Sequence, residues 1–141
     1  MSTIYLGLKL GSTNTCIYKP GNGIVLNEPS LIAMSSNLKI KDVKAVGLEA
    51  KKLIGKTSEN ISVYSPITNG VVQYQELAVL MLKGFLKKVL PVKSLGQNIK
   101  VLLCVPLGLE PAEKKQLEEK MASVRTAGSV YSTYYVAFFD A

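Results

Sequence analysis

Apolar and polar positions alternate along the first quarter of the chain in short runs. Residues 4–10 read as a strand, 11–15 as a polar turn and 16–18 as a second strand. The cluster Lys19-Pro20-Gly21-Asn22-Gly23 is a strong turn signal, and Ile24-Val25-Leu26 after it supplies a third strand. The chain is therefore expected to open with a three-stranded antiparallel meander. Residues 31–34 predict another short strand, 35–44 a polar loop or edge, and 48–54 a short helix after Val46-Gly47. Residues 56–64 are weakly patterned, and Pro66 with Asn69-Gly70 marks a return of the chain to a new element.

The pattern then lengthens. Over 75–89, Leu77, Leu80, Met81, Gly84 and Val89 fall near one face of a helix, and Leu82, Phe85 and Leu86 widen that stripe. So broad a stripe predicts burial on most sides. Residues 90–98, with Pro91 and Gly96, read as a loop, and 99–105 form a near-continuous apolar run of the kind a central parallel strand shows. Glu110-Pro111 opens a second helix, with proline in the first turn and glutamate at the positive end of the dipole. Its few apolar positions, Leu117, Met121 and Val124, predict a surface helix. Residues 130–139, rich in Tyr, Val and Phe, read as a last strand.

Composition narrows the chemistry. With 48% hydrophobic residues in 141, the chain has enough apolar material for a core and should fold. Seventeen Lys and Arg against ten Asp and Glu give a net charge of +7, which favours anionic surfaces or phosphates. Arg125 is the single arginine, and base readout leans on arginine, so a sequence-reading nucleic-acid protein is not expected. There is no histidine, which removes the commonest metal ligand and the usual general base of nucleophilic triads. Cys16 and Cys104 stand inside apolar runs, at neither metal-site nor redox-pair spacing, and are expected to be buried free thiols. No apolar run approaches the ~20 residues of a transmembrane helix, so the expectation is a cytosolic protein.

One constellation carries candidate chemistry. Gly7-Leu8-Lys9-Leu10-Gly11-Ser12-Thr13-Asn14-Thr15 places glycine and short polar side chains in a turn between strands, where backbone N–H groups can approach a phosphate. An ordinary hairpin turn with polar caps reads the same way on spacing alone. This stretch resembles the first phosphate motif of the actin, sugar-kinase and heat-shock chaperone superfamily, most closely its MreB branch. The resemblance continues through residues 23–30, 46–51, 54–57, 66–72 and the Val105-Pro106 and Glu113-Lys114 pairs, in MreB order.

The resemblance implies an α/β fold, the actin-like (ribonuclease H-like) five-stranded mixed sheet with flanking helices. Residues 1–30 and 70–141 would form subdomain IA, and 31–69 a small inserted subdomain IB. By the same resemblance Gly11, Ser12, Thr13 and Asn14 would bind nucleotide phosphate, with ATP and Mg²⁺ the cofactors of the family. The implied role is nucleotide-dependent polymerisation in a cytoskeleton that determines bacterial cell shape. The implied partners are further copies of itself, membrane-linked morphogenesis proteins and the inner face of the cell membrane. The alternative is a degenerate, non-hydrolysing actin-like module that regulates filament assembly.

Two departures bear on activity. Lys9 stands where the family carries the aspartate that organises hydrated Mg²⁺, so metal binding there is expected to fail. Residues 131–136 hold no carboxylate where the family has a glutamate that polarises the attacking water. The family's second phosphate motif, adenosine pocket and opposite lobe have no counterpart in these residues, and ATP hydrolysis by this chain is not expected. Leu90, Val92 and Leu95, in a loop surrounded by Lys87, Lys88, Lys93 and Lys100, resemble an apolar membrane contact of MreB proteins, the alternative being that Leu90 and Leu95 fold back onto the helix end.

Overall fold

A computed structural model describes residues 3–35, 43–55, 60–90, 98–106, 110–123 and 131–139. The chain opens with the expected meander: β1 (Thr3–Leu10), β2 (Asn14–Lys19) and β3 (Gly23–Pro29) pair antiparallel in succession. Between β2 and β3 the turn closes with Asn22 N donating to Lys19 O at 2.9 Å, and Gly21 and Gly23 take the positive φ it needs. On β1 the period of two is strict, with Ile4, Leu6, Leu8 and Leu10 buried and Tyr5 and Lys9 exposed between them.

After the meander the chain builds a second, three-stranded antiparallel sheet from β4 (Ile32–Ser35), β5 (Val43–Val46) and β6 (Ile61–Tyr64), in the order β5-β4-β6. Residues 43 and 44 begin β5 at an edge of this sheet, in keeping with the loop-or-edge reading, while the weakly patterned 61–64 form β6, a strand that the sequence reading does not contain. Both are four-residue edge strands, too short to establish a period. The helix α1 (Leu48–Lys52) is shorter than expected, because Leu53 and Ile54 N–H groups turn back to Ala50 and Lys51 carbonyls. A two-stranded hairpin, β7 (Ile67–Thr68) with β8 (Val71–Val72), turns on Asn69-Gly70, both at positive φ as such two-residue loops require.

The helix α2 (Gln75–Val89) has the limits its pattern predicts and buries Ala78, Val79, Met81, Leu82, Phe85 and Leu86. It stops where Leu90 turns extended ahead of Pro91. Then β9 (Asn98–Pro106) pairs parallel with β1, the surface helix α3 (Pro111–Ser123) crosses over, and β10 (Tyr131–Phe139) pairs parallel with β9. The result is a five-stranded mixed sheet in the order β10-β9-β1-β2-β3. Leu117 and Met121 of α3 join α2 and the inward side chains of β1, β2, β3 and β9 in one core. Val124 lies outside the described residues.

Among the described residues that core takes one face of the sheet. On β9, Ile99, Val101, Leu103 and Val105 are buried while Lys100 and Leu102 are exposed, so the apolar run is less fully enclosed than expected of a central strand. For the same reason Cys16 and Cys104 are free but half-buried, where full burial was predicted: both alternate onto the uncovered face.

Candidate functional site

Gly11, Ser12, Thr13 and Asn14 come together in the tight loop between β1 and β2. Gly11 N donates to Asn14 O at 3.2 Å, and a Cβ on Gly11 would stand 2.6 Å from that oxygen. Only glycine closes this loop without displacing backbone. Behind it is a buried relay. Ser30 Oγ donates to Gly11 O at 2.6 Å, which uses its one hydrogen, so the 2.8 Å contact with Thr15 Oγ1 has threonine as donor. Thr15 and Ser30 are both fully buried, and Ser30 N donates to Thr13 O at 2.9 Å.

The loop is also tied from outside. Gly70 N, at the tip of the β7–β8 hairpin, donates to Ser12 Oγ at 2.8 Å, and Asn14 Nδ2 donates to Asn27 Oδ1 of β3 at 2.8 Å. These contacts hold the backbone of 11–14 while Thr13 and Asn14 remain exposed and Ser12 half-exposed. Lys9 lies two residues before the loop, exposed, paired in register with Cys16 on β2 and Cys104 on β9. Hydroxyls, backbone N–H groups and an ammonium are donors that suit a phosphate oxyanion. The N–H groups and the ammonium do not suit Mg²⁺, which takes oxygen ligands and carboxylates in particular. Among the described residues no group of three His, Cys, Asp or Glu side chains is placed to hold a metal ion.

Sequence reasoning named the loop and missed what shapes it. Ser30, Asn27 and Gly70 carry no chemical signature of their own; Asn27 and Ser30 fall in the 23–30 run, and Gly70 in the 66–72 run, that resemble MreB segments. A further joint escaped notice. Glu28 Oε1 accepts from Leu48 N at 3.0 Å and from Lys88 Nζ at 3.0 Å, so one carboxylate of β3 holds the starts of α1 and the last turn of α2.

The candidate membrane residues separate. Leu90 is only 8% exposed and belongs to the core, its N–H closing the last turn of α2 on Leu86 O, so its side chain is not presented to a lipid surface. Val92 and Leu95 lie outside the described residues. Among the described residues no helix is long and apolar enough to cross a membrane. A separate apolar hollow lies between α1 and β6, lined by Leu31, Leu53, Ile54, Ile61, Val63 and Ser65, and shares no residue with the 11–14 loop.

With the loop and the sheet order in view, the comparisons decide the relationship. Residues 3–133 match the MreB/Mbl protein family. The chain belongs to the MreB/Mbl family. It is 40% identical to the cell shape-determining protein Mbl of Bacillus subtilis (strain 168) over 114 residues, 81% of this chain and 33% of that protein. It is 38% identical to the cell shape-determining protein MreB of Escherichia coli (strain K12) over 116 residues, again 81% of this chain and 33% of that one. The chain thus spans about a third of the length of the curated relatives it matches.

Solved structures agree on the actin-like fold. MreB5 of Spiroplasma citri bound to ADP superposes with a TM-score of 0.71 at 28% identity, covering 95% of this chain and 38% of that one. The MamK double helical filament, at 17% identity and a TM-score of 0.68, is a likeness of fold alone. Lys9 and residues 131–133 lie inside the matched stretch, and 134–136 lie beyond it.

Proposed function

We propose that this chain is the nucleotide-side lobe of an MreB/Mbl-type filament protein that determines cell shape by nucleotide-dependent polymerisation. In this reading residues 1–30 and 70–141 are subdomain IA and 31–69 the inserted IB. The observation that supports it is the 11–14 loop, held by Ser30 and Thr15 from the core and by Gly70 from outside, with Thr13 and Asn14 exposed. Relatives named as cell shape-determining proteins, and an MreB5 solved with ADP and with AMPPNP, support it. Gly11, Ser12, Thr13 and Asn14 would hold the phosphates, ATP with Mg²⁺ being the family's cofactor. The partners would be further copies of this chain, membrane-linked morphogenesis proteins and the inner face of the cell membrane, with Val92 and Leu95 as contacts. The location would be cytoplasmic, peripheral to that membrane.

The second reading, a non-hydrolysing module that regulates assembly, is favoured by Lys9 at the metal's place. The two readings separate in one experiment, pelleting with Bacillus subtilis Mbl polymerised with ATP. A polymerising lobe enters the pellet in proportion to Mbl, whereas a regulator at substoichiometric amounts lowers the mass of Mbl pelleted. A chain that stays in the supernatant and leaves the Mbl pellet unchanged refutes both. On either reading the isolated chain shows no Mg²⁺-dependent ATP hydrolysis above background. Turnover that disappears in Ser12→Ala or Asn14→Ala would contradict that.

A further inference from the structure

Cross-strand register sets one amine between two thiols. Lys9 of β1 is opposite Cys16 of the antiparallel β2 and opposite Cys104 of the parallel β9, so the row across the sheet reads Cys104, Lys9, Cys16. Strand alternation puts all three on the face away from the core, because Leu8, Leu10, Thr15, Ile17, Leu103 and Val105 beside them are buried. Lys9 is exposed and both thiols are half-buried, so a small oxidant can reach them. The next residues of the row, Ala137 of β10 and Asn27 of β3, bring no further nucleophile.

Distance decides which of these groups can react with one another. The two cysteines are two strand spacings apart, about 10 Å between Cα atoms. A disulfide needs Cα atoms within about 7 Å, so neither thiol can resolve the oxidation of the other. Residues directly opposed on neighbouring strands have Cβ atoms about 5 Å apart, which the flexible four-carbon stem of a lysine spans on either side. Lys100 is four residues from Cys104 along β9, about 13 Å away, and is out of reach.

We infer that Lys9 is the resolving group of a thiol-oxidation site, closing an S–N bond to Cys16 or Cys104. The co-reactant is a peroxide, which takes the thiol to the sulfenic acid: Cys–SH and H₂O₂ give Cys–SOH and water. The Lys9 amine, its extra proton released to solvent, then attacks that sulfur. The S–N bond forms, the S–O bond breaks, and hydroxide leaves with an amine proton as water. Sulfenic acids condense with a thiol to a disulfide or with a nitrogen to a sulfenamide, and here the nitrogen is the partner within reach. The product is neutral where Lys9 carried a positive charge, and it ties β1 to a neighbouring strand two residues before the 11–14 loop. A thiol reductant reverses it by attacking the sulfur, which frees the amine and leaves a mixed disulfide for a second thiol to reduce. This goes beyond the proposed filament role and requires no nucleotide.

The full chain, treated with hydrogen peroxide in mildly alkaline buffer, should lose two hydrogen atoms by intact mass while remaining monomeric. Tryptic mapping should find cleavage after Lys9 blocked and Lys9 joined to Cys16 or Cys104, and dithiothreitol should restore both mass and cleavage. Lys9→Met, at an exposed position that leaves the fold intact, should lose this product, its thiols going on to sulfinic acid with the gain of two oxygen atoms each. Lys100→Met should leave the product unchanged. A disulfide between Cys16 and Cys104, which has the same mass but leaves cleavage after Lys9 intact, overturns the inference. So do a disulfide-linked dimer, sulfinic acid at both thiols of the natural chain, thiols that stay unreacted under excess peroxide, and a cross-link that persists in Lys9→Met.

Discussion

Replacing Glu28 by alanine should be the most informative single substitution away from the phosphate loop. Its carboxylate does two things at once. Leu48 is the first residue of α1, whose Gly47 N-cap offers no side-chain acceptor, so Glu28 Oε1 at 3.0 Å takes one of the helix's orphan N–H groups. A hydrogen bond to a charged acceptor contributes about 1.5–3 kcal/mol. The pairing with Lys88, at 3.0 Å and with side chains 31% and 15% exposed, is partly solvated and adds at most about 1 kcal/mol. Glu28→Ala should therefore cost about 2–4 kcal/mol. Glu28→Gln keeps an oxygen acceptor for Leu48 N and should cost about 1–2 kcal/mol, while Lys88→Met should cost under about 1 kcal/mol. Urea unfolding measures the three midpoints, and amide exchange at Leu48 should quicken in Glu28→Ala far more than in Lys88→Met. If Lys88→Met costs as much as Glu28→Ala, the ion pair and not the helix start is what matters, and the reasoning fails.

Ser30→Ala removes the donor to Gly11 O and the acceptor of Thr15 Oγ1 inside the core, and should lower stability by about 1–3 kcal/mol in urea unfolding. Phe85→Ala empties the largest fully buried side chain of α2 and should cost about 3–5 kcal/mol by the same measurement. Gly47→Ala forces a side chain onto a φ of 65° and against the Glu28 carboxylate and the fully buried Phe85 ring. The left-handed backbone alone costs about 1–2 kcal/mol, and a crystal structure or chemical-shift map should show α1 displaced. Lys9→Asp, at an exposed position, should leave the urea midpoint within about 0.5 kcal/mol of the natural chain.

What the sequence could show of this fold follows from how far each element extends. The meander, α2, β9 and α3 announce themselves because each repeats its period several times: Ile4, Leu6, Leu8 and Leu10 alternate through four repeats, and α2 runs four turns. The strands β5 and β6 have four residues apiece, and pairing with β4 decides their conformation more than their own pattern does. The thiols were misplaced for a related reason. An apolar run such as 99–105 has the same appearance whether the sheet is covered on one face or two, and the burial of Cys104 depends on what packs against the other face. In the site, the loop was legible because Gly11 and its polar followers form a motif. Ser30 and Gly70 were not, since hydrogen bonds across 19 and 58 residues of separation leave no local trace.

The division between scaffold and chemistry explains why two functional readings can share this fold. Thr15 and Ser30, which shape the loop, are fully buried, so losing either breaks hydrogen bonds in the core and is felt as lost stability. Lys9 projects from the open face and contributes to no buried cluster, so exchanging an aspartate for a lysine there reverses the charge beside the loop at little cost to the fold. Folding therefore holds the loop's geometry whichever residue stands at position 9. On the proposed reading, a loop with an ammonium in place of a carboxylate would keep an affinity for an anion and lose its means of organising Mg²⁺. On that reading, phosphate contact and metal binding would thereby be uncoupled at one surface position, and Lys9→Asp in a chain supplied with the rest of the family's length is the substitution that should restore Mg²⁺ sensitivity.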